Sequence, residues 1–141
     1  MRSKAPLVMM EQMVMLLVFA LAAALCLQAF VRSDAQSKHS EARDRAVLQA
    51  QTVAETLRSC GGDFAQAAEL LGAEQYDEDS LMLNFAPDWT PAGETMRYTL
   101  GAVRQESDVE GLGRAQVWVR DESGDGAELF RLDVAWQEVL S

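Results

Sequence analysis

Apolar side chains occupy positions 7–31 almost without a break, from Leu7 to Val31, and then thin out into two other patterns. Between Met13 and Val31 there is no charge, and Gln28 is the one strongly polar side chain. A bilayer core about 30 Å thick is crossed by roughly 20 helical residues, so this run is long enough to span one. Beyond it the apolar positions Val31, Ala35, Ala42, Ala46, Ala50, Val53 and Leu57 recur at intervals of three, four or seven. That spacing lays one narrow stripe along a helix, flanked by Arg43, Asp44, Arg45, Gln49, Gln51 and Glu55. No proline or glycine interrupts residues 7–60. The pattern therefore predicts one long helix, a lipid anchor continued by an amphipathic stalk, ended by Cys60-Gly61-Gly62. Asp63 is placed to cap a short helix, Phe64–Leu71, which Gly72 closes.

After the acidic loop Glu74–Asp79 the period changes from helical to alternating. Leu81, Leu83 and Phe85 share one face; so do Met96, Tyr98, Leu100 and Ala102; Ala115, Val117 and Val119; and Phe130, Leu132, Val134 and Trp136. Each group reads as a strand with one buried side. The segments between them, Pro87–Gly93, Glu106–Gly113 and Asp121–Gly126, carry the Pro, Gly and Asp of turns. The expected fold class is α+β, with a long N-terminal helix packed on a four-stranded antiparallel sheet. The organisation it implies is a short basic tail at 1–6, a transmembrane helix at 7–31, a stalk at 32–60 and a small α+β domain at 61–141.

Charge sharpens this division. Residues 1–60 carry seven Lys/Arg and five Asp/Glu, whereas residues 61–141 carry five Arg and seventeen Asp/Glu. An outer domain of that sign repels phosphates, which argues against direct nucleic-acid binding by it. Arg2 and Lys4 precede the apolar run, and Asp34 and Glu41 offset Arg32 and Lys38 after it. The positive-inside bias then places the N-terminus in the cytoplasm and residues 61–141 outside the cytoplasmic membrane. A removable secretory signal is the rival reading. Its apolar region is normally shorter and ends in a small-x-small site, so an anchor is favoured.

One carboxylate interrupts the apolar run near its start. Glu11 lies within Met9-Met10-Glu11-Gln12-Met13, and an ionisable group on a membrane helix is costly unless it snorkels or finds a partner. A lone Glu on an N-terminal apolar helix, an amphipathic continuation and a small antiparallel sheet together resemble type IV pilins and the minor pseudopilins of type II secretion. The paired segments Gly113–Arg120 and Leu129–Trp136 resemble the last two strands of minor pseudopilins. This resemblance implies a non-enzymatic structural subunit of a membrane-anchored fibre serving secretion, adhesion or DNA uptake. It implies as partners the lipid bilayer, other pilin-like subunits, a prepilin peptidase and the inner-membrane assembly machinery. It also implies that Glu11 pairs with the freed amine of a neighbouring subunit. The cleavage region would be Ala5-Pro6-Leu7: a cut after Pro6 makes Glu11 fifth in the mature chain, and a cut after Ala5 makes it sixth. Ala20, Ala22, Ala23 and Ala24 would let neighbouring helices approach closely. The alternative is a single-pass membrane-anchored binding or sensory domain that does not polymerise.

Other constellations weigh less. Asp121, Ser123 and Asp125 imitate the opening of a calcium loop, but the twelfth position, which needs a bidentate Glu, is Leu132. An acidic hairpin turn is the simpler reading, and no metal or cofactor is expected. His39 stands alone on the stalk. Cys26 and Cys60 lie about 50 Å apart on a continuous helix, too far for a disulfide between them. No nucleophile elbow or phosphate-binding glycine loop is present. Trp136 follows the buried register, whereas Trp118 falls on the outward one and is a candidate interface anchor.

Overall fold

A computed structural model describes residues 4–138. The chain divides into two compact units, one through Ser40 and one from Glu41 onward, and helix α1 (Ala5–Ser59) contributes to both.

In the first unit α1 is exposed on every side, including all the large apolar residues of the run from Leu7 to Val31. This helix is long and apolar enough to cross a membrane. At 1.5 Å per residue, positions 7–31 extend about 37 Å, more than a hydrocarbon core requires. Pro6 sits in the first turn, where its missing N–H would have no helical partner anyway. Lys38 and Asp34 form an exposed pair one turn apart, 3.0 Å between Nζ and Oδ2.

In the second unit, the stripe Ala46, Ala50, Val53, Ala54 and Leu57 is buried against a sheet. The first two members of the expected stripe, Val31 and Ala35, are exposed instead, and the covered face starts at Ala42. Helical periodicity marks a face but not how much of it a partner within the same chain covers. The helix ends as the two glycines require. The Gly62 N–H donates to the Leu57 carbonyl at 2.9 Å and the Gly61 N–H to Arg58 at 3.2 Å, both glycines having positive φ. Helix α2 (Phe64–Leu71) is capped by the Asp63 carboxylate, which accepts from the Gln66 N–H at 3.0 Å, and is closed by a left-handed Gly72.

Five strands, not four, follow: β1 (Gln75–Tyr76), β2 (Ser80–Phe85), β3 (Tyr98–Gln105), β4 (Leu112–Asp121) and β5 (Glu128–Gln137). Each pairs antiparallel with the next, in the order β1-β2-β3-β4-β5. The extra strand lies inside the expected acidic loop. The Asp77 N–H donates to the Ser80 carbonyl at 2.7 Å, and the turn folds Gln75 and Tyr76 back onto Met82 and Leu81. Both residues of β1 are exposed, so no alternation announces it. Strand β3 also starts later than the sequence pattern indicates. Met96 lies outside it and is exposed, and the strand runs on to Gln105.

The inward register otherwise follows the alternation. Leu81, Phe85, Tyr98, Leu100, Ala102, Ala115, Val117, Val119, Val134 and Trp136 form one core with the α1 stripe and Phe64. Trp136 packs where two segments have no side chain. A Cβ added at Gly113, its cross-strand partner, or at Gly62 would stand 2.2 Å from the indole Nε1.

Candidate assembly surfaces

Glu11 projects from an exposed helix surface whose neighbours one turn away are Leu7, Val8, Val14 and Met15. Among the described residues its carboxylate makes no hydrogen bond or ion pair. The nearest cation in sequence on its own helix flank, Lys4, is two turns back, about 10 Å along the axis. The three residues of the expected cleavage region, Ala5, Pro6 and Leu7, all lie in the first turn of α1, where the Val8 N–H donates to the Lys4 carbonyl at 3.2 Å.

The second surface is the outer face of the sheet. Trp118 is half-buried there because its cross-strand partner is Gly101, and its ring lies over that glycine: a Cβ at Gly101 would be 2.3 Å from Cζ2. The Arg120 guanidinium stacks above the same ring, 4.5 Å from its centroid. Across the sheet, Trp118 faces Arg131, which grips both oxygens of Glu128 at 2.9 and 2.6 Å and donates to Gln116 Oε1 at 3.0 Å.

The segment that imitates a calcium loop uses its carboxylate otherwise. Asp121 Oδ1 accepts from the Ser123 amide at 2.9 Å and hydroxyl at 2.5 Å, and Oδ2 faces Arg97 at 3.4 Å. Asp125 is exposed. Among the described residues no three His, Cys, Asp or Glu side chains come together as a metal-binding group. The loop is an acidic turn held by its own hydrogen bonds.

These bonds set a pH dependence. Burial by itself raises the Asp121 pKa, but the Ser123 hydroxyl and amide and the Arg97 guanidinium outweigh it, and the net shift is downward from 3.8. Glu128 is held below its ordinary 4.5 chiefly by its hydrogen bonds from Arg131. Asp88 is lowered by the Thr90 hydroxyl and amide. A carboxylate with a depressed folded-state pKa contributes its stability above the unfolded value, and the contribution is lost as pH falls through the folded one. The folded domain is therefore expected to lose stability progressively below about pH 4–5, with Asp121→Asn flattening part of that loss. Thermal unfolding followed from about pH 7 to about pH 3 checks this. An acid limb as steep in Asp121→Asn as in the parent chain would refute the assignment.

One residue escaped the sequence reading altogether. Arg104 follows Ala102 by two, and so occupies the next inward position of β3. Its Nε reaches Asp79 at 2.8 Å, Nη1 reaches Glu138 at 2.8 Å, and Nη2 donates to the Gly62 carbonyl at 2.9 Å. Its guanidinium also lies 5.5 Å from the Phe64 ring centroid and 5.6 Å from that of Trp136. A charged side chain in an inward register was the available signal.

No known protein family, curated protein or solved structure matches this chain.

Proposed function

We propose that this protein is a non-enzymatic, pilin-like structural subunit, anchored in the cytoplasmic membrane by residues 7–31, whose outer domain is carried on a membrane-anchored fibre. The observation that supports this most is Glu11, a carboxylate with no partner among the described residues, on an exposed apolar helix surface. A lipid environment disfavours such a group unless a cation meets it, and a neighbouring subunit's N-terminal amine is the partner the pilin-like architecture offers. The continuation of the same helix under a small antiparallel sheet fits this reading as well. The fibre would require a prepilin peptidase and an inner-membrane assembly machinery. It would serve secretion, adhesion or DNA uptake.

Glu11→Ala in the native membrane tests the proposal. A charge-assisted pairing contributes about 1.5–3 kcal/mol, so incorporation into sedimentable fibres should fall roughly 10- to 100-fold. Membrane insertion, measured by carbonate extraction, should be unchanged. Wild-type incorporation by Glu11→Ala would favour instead a membrane-anchored binding or sensory domain that does not polymerise.

A further inference from the structure

Residues 61–141 contain five arginines among seventeen acidic side chains. Three of the arginines are paired: Arg97 with Asp121, Arg104 with Asp79 and Glu138, and Arg131 with Glu128. Arg114 and Arg120 are exposed and form no close ion pair among the described residues, although Arg120 lies across the ladder from Glu128, whose carboxylate Arg131 holds. Both lie on β4 and both point to its outer face, about 20 Å apart, with Gln116 and Trp118 between them. Beside Trp118 the sheet presents more apolar surface. Met82 lies in the same cross-strand row, through Gly101, and is 37% exposed; Val103, opposite Gln116, is 39% exposed. The face thus has an apolar centre at Met82, Val103 and the Trp118 ring, the Arg120 guanidinium stacked on that ring, and the exposed Arg114 toward the other end of β4.

The same domain carries the complement of this face. The loop joining β3 to β4, Glu106–Gly111, bears three carboxylates, and at its tip Val109 stands 60% exposed between Asp108 and Glu110. The tip is shaped by its own bonds. The Val109 N–H donates to Ser107 Oγ at 3.2 Å, the Ser107 hydroxyl donates to the Val109 carbonyl at 3.2 Å, and the Leu112 N–H donates there too, at 3.2 Å. Within one copy this loop closes the hairpin at the Arg114 end of β4, and Trp118 lies about 13 Å further along the strand.

We infer that the Met82–Trp118 face is a docking site for the Glu106–Gly111 loop of a second copy of this chain, with Val109 on the apolar centre and the flanking carboxylates against Arg114 and Arg120. The knob and the socket are different patches, so the contact is heterologous and repeats from copy to copy without closing on itself. Fixed positive and negative groups at its ends set the register. The inference rests on the fibre reading only in taking copies to be held side by side in a membrane; the contact itself does not use Glu11.

The test uses the full chain in membranes, with Cys26→Ser and Cys60→Ser in every version. One version carries Val109→Cys and the other Met82→Cys, and the two are co-expressed and oxidised. A disulfide-linked heterodimer with a 109–82 bridge, identified by mass spectrometry, is expected, and neither version alone should give it. Arg114→Glu with Arg120→Glu in the Met82→Cys copy should abolish the bridge, and Asp108→Lys with Glu110→Lys in the other copy should restore it. Absence of the bridge, or its indifference to charge reversal, overturns the contact. Fibres that assemble normally without the bridge sink this inference alone. A bridge that forms while Glu11→Ala leaves assembly untouched supports the contact and sinks only the role given to Glu11.

Discussion

Gly113→Val is expected to destabilise the folded domain by about 3–5 kcal/mol, the range found for removing a large aromatic from a core. Nothing about residue 113 in isolation dictates this. Its φ is not in the left-handed region, and valine is a good strand former. The cost comes from Trp136, which is 4% exposed and occupies the space a side chain at 113 would need. The ring cannot slide toward the other side, because Gly62 closes on the indole just as tightly. Valine at 113 must therefore expel the indole from the core or separate β4 from β5. A double-variant cycle separates this cause from any other. In a Trp136→Ala background the same Gly113→Val change should cost less than about 1 kcal/mol, because the two residues compete for one volume. Gly93, which has nothing within contact range of an added Cβ and no positive φ, is the control: Gly93→Ala should shift stability by no more than about 0.5 kcal/mol. Chemical unfolding followed by tryptophan fluorescence reads all four variants. Additive costs for Gly113→Val and Trp136→Ala would contradict the proposed competition.

The second large effect belongs to Arg104. Arg104→Met is expected to cost about 2 kcal/mol and Arg104→Lys nearly as much. Each guanidinium nitrogen reaches a different segment: the β1–β2 turn at Asp79, the residue after β5 at Glu138, and the glycines that follow α1 at Gly62. An ammonium has one nitrogen and cannot meet all three. The side chain is 32% exposed, so solvent screens the two ion pairs and each contributes little by itself. The Gly62 carbonyl bond and the stacking near Phe64 and Trp136 respond less to salt. The penalty for Arg104→Met should thus shrink, but not vanish, between about 0.1 M and about 1 M salt. Full stability in Arg104→Lys would show that charge alone, and not the forked geometry, matters at this position.

These two residues show where a sequence stops being legible. Helix α2, with its Asp63 cap and Gly72 stop, could be read directly because every group involved lies within ten residues. The inward faces of β2, β4 and β5 could be read because strand alternation needs only adjacent positions. Strand β1 could not, since two exposed residues carry no period. Arg104 lies just beyond the alternating positions that marked its strand, and Gly113 looked like the end of a turn. The candidate assembly residues divide in the same way. Glu11 stands out from its neighbours in sequence alone, as a single charge in an apolar run. Trp118 was visible as an outward aromatic, but the glycine beneath it and the guanidinium above it come from pairing and packing.

What this sequence determined by itself is the order of elements, their faces, the apolar helix long enough for a membrane and the placement of Glu11 upon it. Each of these follows from the spacing of residue types over one or two turns of helix or a few strand positions. Only the tertiary structure decided which distant residues share a volume or a charge: Trp136 with Gly62 and Gly113, Arg104 with Asp79 and Glu138, and Arg131 with Gln116 as well as Glu128. The reason is physical. Periodicity records which side of an element avoids water, whereas close packing and ion pairing depend on positions in space that the chain brings together only when it folds.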